Sequence, residues 1–168
     1  FPYFGGREKV KRGLLEVTFA TARGEVTRFI VHLKSRLTDR PDDPQSALRR
    51  AAEAVAVRDA VLSRFPDPAS ARFVILGDCN DAPRSRTVRS LLQRGKTEVA
   101  LLLPATDSRG ETWTHFYRAE ESYSRIDYLL VSPGLAGAVA GGTARIYDAP
   151  ETRSASDHRP VTLTLNLE

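Results

Sequence analysis

The chain has no methionine and one cysteine, Cys79, among its 168 residues. A single cysteine excludes an internal disulfide and any metal site built on several thiolates. With the initiator methionine absent too, the chain is expected to be processed, truncated or part of something longer. No apolar run approaches the ~20 residues of a membrane-crossing helix, and no signal-peptide pattern opens the sequence. Lysine is confined to positions 9, 11, 34 and 96, so nearly all the positive charge is arginine. Arginine favours bidentate phosphate contacts; an Arg- and Ala-rich chain equally fits a GC-rich genome. Histidine is scarce, with three in all, so where they stand is informative.

The remaining composition, 41% hydrophobic and 27% charged, is ordinary for a globular protein. The length suffices for one domain with a real core, and 1–168 is read as a single domain. A formal charge of +4 suits an anionic substrate and equally fits a soluble, mildly basic surface. It is too small to demand nucleic acid.

Residues 1–12 are Gly- and Lys/Arg-rich and read as an unfolded lead-in. From Gly13 to Ala20 the pattern alternates, Val26 to Leu33 is a second strand, and Arg23-Gly24 between them is a hairpin turn. Ala47, Ala51, Ala54, Val57, Val61 and Phe65 recur at helical spacing over 44–65, and Pro66 and Pro68 end the run. Phe73–Leu76 is a buried strand and 84–94 a short helix closed by Gly95. Val99–Leu103 and Ile126–Val131 are further buried strands, with a polar loop, 104–124, between them. Ala144–Tyr147 and the alternating Val161–Leu167 complete the set. Strand-rich, with two helices and hairpin-like neighbours, the order favours an α/β sandwich with mixed or antiparallel sheets over a doubly wound parallel sheet.

Four strings carry the chemistry: Val31-His32-Leu33-Lys34-Ser35, Gly77-Asp78-Cys79-Asn80-Asp81, Ser124-Arg125-Ile126-Asp127-Tyr128 and Ser156-Asp157-His158. Each puts acids, amides or imidazoles at or just beyond an apolar run. Asp78 can hold a cation or take a proton from water, and Asn80 can donate to a phosphoryl oxygen or accept from that water. The same string is also good turn chemistry, with Asx side chains bonding their own backbone. Asp157 and His158 suit a hard-cation ligand and a proton-transfer group, or simply a polar loop. Asp127 sits inside an apolar strand and needs a partner. His158 is the candidate, because a carboxylate fixes an imidazole's tautomer and raises its basicity; the alternative is a structural pair with Arg125 or another arginine. His32, between apolar neighbours, can be a satisfied rim residue. His115, in the polar loop, reads as surface or rim.

In this order, the four strings resemble the endonuclease/exonuclease/phosphatase superfamily. That group holds pancreatic-type deoxyribonucleases, abasic-site endonucleases, neutral sphingomyelinases and inositol polyphosphate 5-phosphatases. The resemblance implies a four-layer sandwich, two mixed β-sheets face to face with helices outside. It implies hydrolysis of a phosphodiester or phosphomonoester with a divalent cation, usually magnesium, with manganese or calcium as alternatives. By motif, Asp78 and Asn80 would orient and activate water and contribute to the metal site with Asp157. His158, oriented by Asp127, would contact the scissile phosphate or move a proton. His32 would contact the phosphate, as in the nuclease and sphingomyelinase branches, and Cys79 would only pack. The implied partner is a phosphate ester, nucleic acid among the options.

The pattern departs from the family at the start. Members open with a strand bearing an asparagine, a helix, and a strand bearing a metal-binding glutamate, and neither Glu8 nor Glu16 sits in that context. The chain is therefore expected to be the C-terminal two-thirds of the fold, lacking its first strands. Its open edges would pair with a copy of itself or with the missing segment. The other expectation, from a different class, is a catalytically silent domain that binds an anionic partner.

Overall fold

A computed structural model describes residues 1–38 and 40–167. Strands β1 (Leu15–Thr21) and β2 (Gly24–His32) form the antiparallel hairpin. The turn lies one residue earlier than expected, at Ala22–Arg23, because Gly24 already pairs with Thr21. Helix α1 (Ala47–Arg64) follows a short 3-10 turn, Pro44–Ser46. Asp43 caps it: its buried carboxylate accepts from the Leu48 and Arg49 N–H groups at 2.8 and 3.0 Å. Then come β3 (Phe73–Asp78), α2 (Arg86–Leu92), β4 (Leu101–Leu102), β5 (Ala105–Thr106), β6 (His115–Tyr117), β7 (Ser122–Ser124), β8 (Asp127–Val131), β9 (Ala144–Ile146) and β10 (Val161–Thr162).

The larger sheet has five strands in the order β1-β2-β3-β8-β4, with β2 and β3 parallel and the other pairs antiparallel. A three-stranded sheet, β10-β9-β5, is also mixed. The fold class is thus the α/β sandwich of mixed sheets expected from the resemblance. On one face of the larger sheet, Phe29, Val31, Phe73, Ile75, Tyr128 and Leu130 pack against Ala54, Val57 and Val61 of α1 and Val88 and Leu91 of α2. On the other, Val74, Leu129 and Val131 meet Ala144 and Ile146 of the smaller sheet. This second cover reaches the hairpin only at Val26, and Leu15, Phe19 and Ile30 on the same face stay exposed.

Three expectations are corrected. The first residues are not an unfolded lead-in: Pro2–Tyr3 pairs with Gly6–Arg7, and the Tyr3 hydroxyl donates to Asp43 at 2.9 Å. Segment 104–124 is not simply a loop. It folds β6 against β7, stabilised by Trp113 and Phe116 packing on Tyr123 with ring centroids 4.8 and 4.7 Å apart. The alternation at 161–167 turns Leu163, Leu165 and Leu167 toward the core, where they are half-buried, but ladder pairing ends at Thr162 with one further bridge, Val139 to Leu165.

Candidate active site

Three of the four strings end in one row of the larger sheet. His32 on β2 is paired with Asp78 on β3, and Asp78 with Asp127 on β8. Residues directly opposite one another point to the same face, so an imidazole and two carboxylates are lined up by backbone register alone. His32 Nε2 lies 3.4 Å from Asp78 Oδ2. The approach depends on Gly77 (φ +132°), where a Cβ would sit 2.0 Å from the Val31 carbonyl oxygen.

Beyond the row, the chain turns on Asp78. Its Oδ1 accepts the Asn80 N–H at 2.7 Å and its Oδ2 the Asn80 side-chain amide at 3.0 Å. That amide also donates to the Leu33 carbonyl at 3.0 Å. Asn80 takes a left-handed φ of +52° to do so, a conformation Asn tolerates. The turn chemistry of this string is thus present: the Asx turn fixes Asn80 next to Asp78. Burial raises the Asp78 pKa above the ordinary carboxylate value, and the Asp127 charge adds to this, against the Asn80 N–H and the charges of His158 and His32. Next in the chain, Asp81 Oδ2 accepts from Arg50 Nε (3.2 Å) and Thr87 (2.7 Å), tying the turn to both helices.

The fourth string arrives by another route. The segment before β10 runs beside β6: Phe116 N–H donates to the Asp157 carbonyl (2.9 Å), Arg159 N–H to Thr114 (2.7 Å), and His115 bridges to His158. A buried ion pair holds this segment down. Arg159 Nη1 meets Asp107 Oδ2 at 2.8 Å, and its guanidinium lies 3.4 Å from the centre of the Trp113 ring and bonds the Trp113 carbonyl. Burial works to raise the Asp107 pKa, but Arg159, the Glu111 and Arg109 N–H groups and the Arg109 side chain outweigh it and hold the carboxyl far below the usual range.

His158 is thereby brought to Asp127, its Nδ1 donating to Oδ2 at 2.9 Å. The same oxygen accepts from the buried Thr114 hydroxyl at 2.7 Å, and that hydroxyl accepts from the Ile126 and Asp127 N–H groups at 3.1 Å each. The hydrogen bond from Asp127 raises the His158 pKa; burial opposes it, and the charges of Asp127, Asp78 and Asp157 add to it. Arg125, the other candidate partner for Asp127, instead donates to the Leu103 carbonyl at 2.8 Å.

Among the described residues, two groupings have ligand atoms within 4.8 Å of one another: Asp78, Asp127 and His158, and His115, Asp157 and His158. His158 belongs to both. Asp157 is not in the Asp78 grouping; its carboxylate lies 3.7 Å from His115 Nε2. Two residues here escaped the sequence reading. Thr114 had no signal, since its role is cross-strand. His115 is corrected from a surface or rim residue: its side chain is 17% exposed and its ring centre lies 4.6 Å from that of His158. Cys79 is buried and burial pushes its thiol pKa upward, as befits packing and not nucleophilic chemistry.

A sequence profile described as "Endonuclease/Exonuclease/phosphatase family" matches residues 5–158. No curated protein matches. Solved structures share the fold. A Staphylococcus aureus beta toxin variant with bound magnesium ions is 13% identical (TM-score 0.62), covering 91% of this chain and 57% of the toxin. Sphingomyelinase C from Streptomyces griseocarneus is 16% identical (TM-score 0.58), covering 90% and 53%. The 3'-5' exonuclease NExo from Neisseria meningitidis is 24% identical (TM-score 0.56), covering 90% and 64%. The chain thus spans less than two-thirds of the length of these relatives.

Proposed function

The chain belongs to the endonuclease/exonuclease/phosphatase family, and on that premise we propose that it carries the water-activating and phosphate-contacting groups of a divalent-metal-dependent phosphoesterase. The observation that carries the reading is the row His32, Asp78 and Asp127, with His158 bonded to its end.

The residues fit the metal that the family implies. Asp78 is a largely buried carboxylate beside a second one, Asp127, and an amide oxygen stands next to it. Oxygen donors of this kind suit a hard cation such as Mg2+, with Mn2+ or Ca2+ as alternatives. Asp78 and Asn80 would hold it, with Asp157 a further proposed ligand at the rim. When bound, the ion supplies a Lewis acid for the phosphoryl oxygens.

The side chains do the rest. Asp78 and Asn80 orient the attacking water, and Asp78 takes its proton. His32 and His158 lie against the phosphate, where ring N–H groups stabilise the charge growing on its oxygens. Asp127, itself fixed by Thr114, keeps the His158 proton on Nδ1 and presents Nε2 to substrate. Water attacks in line, and no covalent intermediate is needed.

The substrate is a phosphodiester or phosphomonoester. A groove of about 380 Å³ beside Asp157 is lined by Trp113, Phe116, Tyr123, Arg118 and Arg153. Aromatic faces and guanidinium groups together suit a phosphate ester carrying a flat or apolar group, nucleic acid included.

The test is turnover of bis-p-nitrophenyl phosphate, plasmid DNA and small phosphomonoesters by the purified chain with Mg2+ or Mn2+. Metal-dependent turnover lost in Asp78→Ala and His158→Ala supports the reading. Turnover unchanged in both rejects this site. Binding of these esters without turnover would make the chain the silent, anion-binding domain instead.

A further inference from the structure

We propose that His115, Asp157 and His158 form a second cation site, separate from Asp78, which takes a borderline transition-metal ion such as Zn2+ in preference to Mg2+. The reasons are chemical and geometric. The ligand atoms lie within 4.8 Å of one another. Two are imidazole nitrogens and one is a carboxylate oxygen, a donor set that suits zinc and its neighbours better than magnesium.

Both imidazoles are oriented for it. Nδ1 of His158 is bonded to Asp127 (2.9 Å), and Nδ1 of His115 lies 3.3 Å from the Ser124 hydroxyl. Each ring therefore has Nε2 left to give. An oxygen partner on the far nitrogen is what metal-bound histidines have, since it fixes the tautomer and strengthens the donor.

The spacing also fits. His115 Nε2 and Asp157 Oδ2 are 3.7 Å apart, too far to hydrogen-bond to each other. Bonds of about 2.0–2.2 Å from one ion to each atom span such a gap. Asp157 is mostly exposed and can swing to close the geometry, while both rings are fixed by the ladder that sets His115 opposite His158. Three protein ligands leave a fourth position for water or a ligand oxygen.

This inference rests on the proposed function in one respect: sharing His158, and Asp157 at the rim, couples this site to hydrolysis. An ion on its Nε2 removes the group that faces the phosphate, so zinc occupancy would inhibit a magnesium-supported reaction. The site itself needs no turnover, so its failure and the failure of the hydrolytic reading are distinguishable.

The experiment is titration of the purified, metal-stripped chain with CoCl2, read by visible absorption, and with ZnCl2, read by calorimetry. One ion per chain is expected, with bands of a nitrogen-ligated Co2+ that excess MgCl2 does not displace. Loss of the distal partner of a ligating histidine alone weakens metal binding about 10–100-fold, so His115→Ala and Asp157→Asn should each cost at least that. Asp157→Asn alters an exposed side chain and keeps the result readable if His115→Ala folds poorly. Asp78→Asn and His32→Ala should leave zinc affinity within a few-fold. No Co2+ bands, unchanged affinity in both His115→Ala and Asp157→Asn, or loss of binding in Asp78→Asn would each overturn the proposal.

Discussion

Next to the His32–Asp78 contact, two further histidine–carboxylate pairs stand side by side, and they are built differently. In the inner pair, Asp127 and His158, the carboxylate is mostly buried, accepts two hydrogen bonds on one oxygen and sits in the central ladder. In the outer pair, His115 and Asp157, the carboxylate is mostly exposed and the groups stop at 3.7 Å. Asp127 Oδ2 is engaged by both His158 and Thr114, which fixes the His158 ring in place. A carboxylate that faces solvent across an unfilled gap can still bind something. On the proposed function, the inner pair would govern the rate of a reaction and the outer pair what gathers around it.

His158→Ala breaks the inner pair and removes the ring on which His115 of the outer pair packs; it should have the largest effect, a fall in phosphate-ester turnover of about 10²–10⁴-fold, the usual contribution of a positioned proton-transfer group. Asp127→Asn keeps the shape of the inner pair and should approach that loss. Steady-state rates with Mg2+ check both. Asp107→Ala attacks the support beneath the pairs. It leaves Arg159 buried without its partner and should cost about 3–5 kcal/mol of stability by urea unfolding. Thr114→Val removes one donor to Asp127 and the acceptor of the Ile126 and Asp127 N–H groups, and should cost about 1–3 kcal/mol with a measurable loss of rate.

The smallest effect is in pH dependence. The folded-state pKa of His158 is raised. Its contribution to stability is therefore complete below the unfolded value of about 6.5 and fades as pH rises through the folded value. Asp127→Asn should flatten that limb of a stability–pH curve, whereas Asp157→Asn, a lesser cause of the shift, should nearly preserve it. Equal flattening by both would erase the distinction between the pairs.

Much of the fold was legible because its signals are local. The strand Phe73–Leu76 is a continuous apolar run, and α1 repeats its alanines and valines at helical spacing. The strings at strand ends could be seen one by one. Their alignment could not, since the row His32, Asp78, Asp127 exists only once β2 lies parallel to β3 and β8 antiparallel to it. Thr114 and His115 were illegible for the same reason in stronger form. Strand β6 is three residues long, carries no alternation, and acquires its meaning from partners more than 40 residues away at Asp157 to Arg159. Residues 161–167 show the converse: a faithful alternation reports burial, and hydrogen-bond pairing is a separate matter.

The row in the sheet has one more consequence. Neighbouring strands are held about 4.7–4.9 Å apart by their hydrogen bonds, so the spacing of its three side chains is a lattice constant of the backbone. It cannot drift by small amounts as the core is repacked. It can only be lost in whole steps: slipping β3 by one residue would set Gly77 against His32 and turn Asp78 to the opposite face. Gly77, whose missing Cβ lets β3 lie against Val31, acts as the index mark that keeps the count. Variation in this protein is then free to alter which groups ride on the row, but not their pitch.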